Sequence, residues 1–82
     1  MKSFGSRELE QFCKKFLFKF DSISSSHHAK YYPPKDRKVN DPKRPFFQFQ
    51  LGRKSYDRHS ASRYVSQLKQ LGFTKKEIEE GL

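Results

Sequence analysis

The chain has 82 residues, with 18 Lys and Arg against 9 Asp and Glu, and a formal net charge of +9. This length allows one domain with one small core, and no apolar run approaches the roughly 20 residues that span a bilayer. No apolar segment typical of a secretory signal follows the first residues. We therefore expect a single cytoplasmic domain over residues 1–82, without membrane contact. The excess of positive charge favours a polyanion, above all a nucleic acid, as the partner.

Aromatic residues compensate for a low apolar content. Only 33% of the residues are hydrophobic, but 9 Phe and 4 Tyr can each bury a large apolar area. The single cysteine, Cys13, cannot form an internal disulfide and falls in the apolar stripe of a helix. It is predicted to be a small buried hydrophobe rather than a nucleophile.

The first predicted element is a helix over about residues 7–17. Ser6 is placed to accept backbone N–H bonds as its N-cap. The apolar residues recur with the spacing of one helix face. They are Leu9, Phe12, Cys13, Phe16 and Leu17.

A hairpin is predicted over residues 18–32. In its first strand Phe18 and Phe20 share one face and alternate with polar residues. Three serines at 24–26 form the turn. The second strand runs from the histidines to Tyr32, where two prolines stop it by removing N–H donors.

A third strand follows a loop. Residues 35–45 are polar and basic, and they are predicted to form a mobile loop with a turn at 40–42 (Asn-Asp-Pro). Residues 46–51 then alternate as a strand. Its uniformly apolar face, which is expected to pack on the helices, is formed by Phe47, Phe49 and Leu51.

Two further helices close the chain. One is predicted over about residues 60–71, and Gly72 suits the left-handed residue just past its end. A short third helix starts at Lys75, because Thr74 and Glu77 have the spacing of a capping box. The apolar stripe of the longer helix consists of Ala61, Tyr64, Val65, Leu68 and Leu71.

This order of elements is helix, three strands, helix and a short C-terminal helix. It predicts an α+β fold in which an antiparallel sheet is covered on one side. The same order is found in the double-stranded-RNA-binding fold. No internal repeat or second domain is visible.

The residues best suited to catalysis are His27 and His28, where the serine turn meets the second strand. Histidine can give or take a proton near neutral pH, so a pair in a basic protein indicates phosphate chemistry. Solvated surface histidines are the plainer interpretation. Because adjacent strand residues point to opposite faces, only one of the two histidines is expected to face a bound RNA. With distant His59 they lack metal-ligand spacing, so no metal or other cofactor is expected.

Three pieces of the chain, in order, resemble the HicA family of small bacterial toxins. They are a leading helix at 7–12, a Ser-Ser-His-His turn into a strand at 25–28, and a closing helix that ends at 67–74. HicA proteins are messenger-RNA endonucleases of toxin-antitoxin systems, and their fold is similar to the double-stranded-RNA-binding fold. The resemblance covers most of the chain.

The resemblance implies an mRNA interferase with His27 as the catalytic histidine and His28 as its substitute. The cleavage expected is metal-independent, with a histidine acting as general base or acid while the ribose 2′-OH attacks its own phosphate. A HicB-like antitoxin is implied as a protein partner. The residues expected to bind RNA are Lys30, Lys35, Arg37, Lys38, Lys43, Arg44, Arg53, Lys54 and Arg58.

Two other functions are open. The family's glycine before the histidine is Ser25 here, and its Pro-x-His would fall on 52–54, which has neither residue. These differences fit a protein that keeps the scaffold for nucleic-acid binding alone. An inhibitor that binds another protein's nucleic-acid groove is less favoured, because such a protein would mimic phosphate with an acidic surface.

Overall fold

A computed structural model describes residues 3–40 and 42–82. The central strand of its three-stranded sheet, β2, pairs antiparallel with β1 and with β3. The predicted α+β fold, with an antiparallel sheet and helices before and after it, is confirmed. The predicted turn at 40–42 includes Asp41, which lies outside the described residues. The elements are α1 (Ser6–Lys15), β1 (Lys19–Ile23), β2 (His28–Tyr32), β3 (Phe47–Gln50), α2 (Arg58–Gln70) and α3 (Lys75–Gly81).

The core lies between the helices and one face of the sheet, and aromatic rings form its centre. The Phe12 ring contacts the rings of Phe16 and Phe73, with centroids 4.6 and 5.4 Å apart. Phe47 and Phe49 supply the apolar face of β3, as predicted, and both are fully buried. Large rings thus give a core to a chain that has few aliphatic residues.

α1 ends earlier than its apolar periodicity predicts. The Phe18 N–H donates to the Cys13 carbonyl at 2.8 Å, and the Leu17 N–H donates to the Lys14 carbonyl at 3.3 Å. These two bonds form a Schellman motif, which puts the residue after the C-cap in the left-handed region. Leu17 accordingly has φ of 62° and is 78% exposed. Its predicted place in the apolar stripe is wrong.

The N-cap of α1 is Gly5 rather than the predicted Ser6. The Glu8 carboxylate accepts from the Gly5 N–H at 2.7 Å. Ser6 Oγ instead donates to the Arg53 carbonyl and accepts from the Arg53 N–H, both at 3.2 Å. A side chain at Gly5 would overlap the Lys54 carbonyl oxygen. The start of α1 is therefore locked to the segment that follows β3.

β1 is an edge strand, and its residues are all exposed. Phe18, just before it, packs on the core, with its ring 5.3 Å from that of Phe73. Phe20 lies on the same side but remains 49% exposed, with its ring against that of Tyr31. A bulge between Phe20 and Ser22 interrupts the pairing with β2.

α2 begins before the predicted boundary because Asp57 caps it. The Asp57 carboxylate accepts from the Ser60 N–H at 2.6 Å, and this bond lowers the pKa of the carboxyl. Gly72 follows the helix with φ of 95°, as predicted. The predicted capping box of α3 is also present, with Thr74 Oγ1 accepting from the Glu77 N–H at 3.1 Å.

The loop before β3 is tied to the last two helices. The Arg37 guanidinium donates to the two Glu77 carboxylate oxygens at 2.8 and 2.6 Å. It also lies 4.1 Å from the centroid of the Phe73 ring. The Asn40 N–H donates to the Gln70 carbonyl at 2.8 Å. This segment, which its composition predicts to be a mobile loop, therefore has specific contacts with α2 and α3.

The ion pair between Arg37 and Glu77 predicts acid sensitivity. The hydrogen bonds from Arg37 and from the Thr74 N–H hold the pKa of Glu77 at about 2, below its ordinary value of 4.5. Stability from this lowered pKa is fully present above the unfolded value and is lost as the pH falls from there toward the folded value. We expect the urea midpoint of wild type to fall more steeply over that range than the midpoint of Glu77→Gln.

Glu80→Gln is the matched control, because Glu80 is an exposed carboxylate of the same helix. Its midpoint should follow the wild-type curve. Equal slopes for wild type and Glu77→Gln would contradict the role given to the ion pair.

Candidate functional site

The hairpin between β1 and β2 turns through residues 25–27. The Ser24 N–H donates to the His28 carbonyl at 2.9 Å, and the His27 N–H donates to the Ser24 carbonyl at 3.0 Å. A three-residue loop of this kind has its last residue in the left-handed region, which glycine usually supplies. Here His27 takes that position, with φ of 61° and an exposed side chain. A histidine therefore stands where the backbone favours glycine.

The prediction that both histidines belong to the second strand is wrong for His27. β2 begins at His28, and His27 lies in the turn. Its carbonyl accepts from the Leu51 N–H at 2.8 Å, which ties the turn to the end of β3. Strand alternation therefore does not send the two imidazoles to opposite faces. Both histidines lie at the same end of the sheet.

His28 lies on the face of the sheet that the helices do not cover. Its neighbour Ala29 is 1% exposed and belongs to the core. Alternation along β2 consequently places His28, Lys30 and Tyr32 together on the opposite face. We call this the open face.

Gln50 of β3 is the cross-strand partner of His28. The backbone of Gln50 bonds to tyrosines instead of to β2: the Tyr56 hydroxyl donates to its carbonyl, and the Tyr64 hydroxyl accepts from its N–H at 3.0 Å. His28 and Gln50 are thus a non-hydrogen-bonded pair, the type in which opposed side chains lie closest. The side chains of His28 and Gln50 are therefore cross-strand neighbours on the open face.

Arg53 and Arg58, two of the residues predicted to bind RNA, follow β3 at the end of the sheet where the histidines lie. Arg53 lines a small polar cleft with Gln50, Tyr56, Asp57 and Ser60. Its backbone is fixed by the bonds to Ser6 described above, while its side chain remains exposed. Arg58 begins α2 just past the cleft and is also exposed. The structure therefore brings the histidine turn and Arg53 toward one end of the sheet through Gln50.

The predicted RNA-binding residues of the loop have different surroundings. Lys35, Lys38 and Lys43 are exposed. The guanidinium of Arg44 lies 5.8 Å from the centroid of the Phe46 ring, in a small cleft that Gln67 and Gln70 of α2 also line. Arg37 differs from them, because its bond to Glu77 holds the guanidinium on α3 and raises its pKa. We assign Arg37 to the fold rather than to a binding surface.

Sequence reasoning missed Tyr32 and Phe46, whose rings meet edge to face at 6.2 Å. Lys30 Nζ lies 4.3 Å from the centroid of Phe46 and 5.5 Å from that of Tyr32. The missed signal is the interleaving of basic and aromatic residues at 30–32 and 44–46, which is typical of single-strand binding surfaces.

Three further residues singled out in the sequence are Cys13, Lys54 and His59. Cys13 is buried, and burial raises the pKa of its thiol, so it is a poor nucleophile, as predicted. Lys54 is exposed beside Arg53, and His59 is exposed in the first turn of α2.

Among residues 3–40 and 42–82, no group of three His, Cys, Asp or Glu could hold a metal ion. In that same part of the chain, no helix combines the length and apolarity needed to cross a bilayer.

Comparisons of the chain with protein-family models, curated proteins and solved structures found no match. The similarity to HicA proteins therefore stays a prediction from the residues alone.

Proposed function

We propose that the protein is a HicA-like mRNA interferase, a cytoplasmic endoribonuclease that cleaves without a metal ion. The observation that carries this proposal is the pair of adjacent histidines at the turn where β2 begins. Strained backbone positions are enriched at functional sites, and His27 occupies one, with φ of 61°. The net charge of +9 attracts RNA to the surface.

Two neighbouring imidazoles can supply both proton transfers that RNA cleavage requires. One takes the proton of the ribose 2′-OH while that oxygen attacks the adjacent phosphorus. The bond from phosphorus to the 5′ oxygen of the next nucleotide breaks, and the second imidazole protonates that oxygen. The products are a 2′,3′-cyclic phosphate and a 5′-hydroxyl end. Arg53, at the cleft, stabilises the negative charge on the phosphoryl oxygens.

A toxin of this kind requires a neutralising protein. The proposal therefore includes a HicB-like antitoxin, which rests on the resemblance of the chain to the HicA family. Messenger RNA as the target has the same basis.

The second candidate is a nucleic-acid-binding protein that does not cleave. One observation favours it: within the described residues, neither the His27 nor the His28 imidazole has a hydrogen-bond or ion-pair partner. A catalytic histidine is usually oriented by a carboxylate or a carbonyl oxygen. For this candidate, the cations hold the RNA backbone and the histidines are exchangeable.

Cleavage in the presence of a chelator tests the proposal. We expect the purified protein to cut an unmodified messenger RNA in EDTA and to leave 2′,3′-cyclic phosphate ends. The same RNA with 2′-O-methyl groups should be bound but left intact, because the attacking hydroxyl is absent. Binding without any cleavage at high protein concentration would select the second candidate. RNA that is neither bound nor cut would contradict both.

A further inference from the structure

Two cross-strand pairs of β2 and β3 and one pair of contacting rings line the open face. Their side chains are all at least partly exposed, and they combine aromatic, cationic and amide groups on a surface about 13 Å long. The cross-strand pairs are His28 with Gln50 and Lys30 with Gln48, and the ring of Tyr32 contacts that of Phe46, just before β3.

Tyr32 is the ring of this face that can stack on a base. It is 36% exposed and its ring packs against that of Phe46. Lys30 Nζ lies beside both rings, 4.3 Å from the centroid of Phe46 and 5.5 Å from that of Tyr32. An exposed ring with a cation beside it suits a stacked base whose phosphate meets that cation.

We infer that the open face binds single-stranded RNA, with one base stacked on Tyr32 and a phosphate of the same strand beside Lys30. The inference rests on the proposed function and adds the form of RNA that is bound. A duplex cannot make these contacts, because its bases are stacked on each other and only their edges reach the surface. The Gln48 amide, next to Lys30, can hydrogen-bond the edge of an unpaired base.

The same face leads from Tyr32 to the histidines. His28 lies four residues before Tyr32 on β2, a distance of about 13 Å. RNA-binding sheets of similar size stack about two or three bases. A strand anchored on Tyr32 therefore reaches the histidine turn within a few nucleotides.

The first test compares single-stranded and duplex RNA at constant salt. A short 2′-O-methyl RNA, which cannot be cleaved through its 2′ oxygen, keeps binding separate from catalysis. We expect the single strand to bind wild type at least about tenfold more tightly than the same sequence annealed into a duplex. Equal affinity for the two forms would overturn the inference.

The second test removes the ring. Tyr32→Leu should weaken single-strand binding about tenfold, in the range that one stacked base contributes, whereas Tyr32→Phe keeps the ring and should bind like wild type. Phe20→Leu is the matched control, since Phe20 is another exposed aromatic residue of this hairpin but lies on the helix side. Wild-type binding by a folded Tyr32→Leu protein would overturn the inference.

These experiments distinguish a failure of the single-strand binding inference from a failure of the nuclease proposal. A protein that binds single strands through Tyr32 but never cuts unmodified RNA keeps this inference and loses the nuclease proposal. A protein that cuts RNA in EDTA, yet binds single strands equally well without the Tyr32 ring, keeps the nuclease proposal and loses this inference.

Discussion

Phe12→Ala is expected to lower the free energy of unfolding by about 3–5 kcal/mol. Phe12 is fully buried, and its ring contacts the rings of Phe16, Phe18 and Phe73 at centroid distances of 4.6, 6.3 and 5.4 Å. The cavity left by truncation would be lined by rings held on separate parts of the chain, so it cannot close easily. A loss of this size is a large share of the stability of a small domain.

Leu17→Ala is the matched control for Phe12→Ala. Apolar periodicity puts both residues on one face of the first helix, but Leu17 is 78% exposed. Its replacement should change the free energy of unfolding by no more than about 0.5 kcal/mol. Urea denaturation followed by circular dichroism measures both variants. Equal losses would contradict the exposed position of Leu17, and a wild-type midpoint for Phe12→Ala would contradict the core.

The two helix ends show what the sequence can reveal about this fold. α1 and α2 end in the same hydrogen-bonding pattern, in which Phe18 bonds back to Cys13 and Phe73 bonds back to Leu68. The end of α2 was predictable because the left-handed residue is Gly72. The end of α1 was not, because Leu17 continues the apolar spacing and carries no stop signal.

Two of the wrong predictions come from contacts between residues distant in sequence. Ser6 has the side chain of an N-cap, but Arg53 takes its hydroxyl. Arg37 adds to the positive charge, but its partner Glu77 lies forty residues further on. Local reasoning sees neither contact. By contrast, the alternation of β3 correctly placed Phe47 and Phe49 in the core, because a period of two decides the face without a distant partner.

His27→Gly is expected to abolish RNA cleavage and to stabilise the protein at the same time. Removing the imidazole removes a general base or acid, which contributes about 10²–10⁴-fold to the rate. Glycine adopts φ of 61° without the steric cost that a Cβ brings, so the turn gains about 1 kcal/mol. A gain in stability with a loss of activity cannot be ascribed to unfolding.

Substitutions of His28 and His59 test whether the loss of cleavage is specific to the histidines of the turn. His28→Gln should also slow cleavage, because the mechanism uses one imidazole as base and the other as acid. His59→Gln is the matched control, since His59 is an exposed histidine of α2 that has no role in the proposed mechanism. It should cut RNA at the wild-type rate, and it also reports any contaminating ribonuclease shared by the preparations.

The most direct measurement is the rate at which wild type and these three variants cut unmodified RNA in EDTA, with urea midpoints taken on the same preparations. His27→Gly is expected to have a higher midpoint than wild type and to cut at least about a hundredfold more slowly. A His27→Gly protein with a higher midpoint and a wild-type rate of cleavage would contradict the catalytic role of His27.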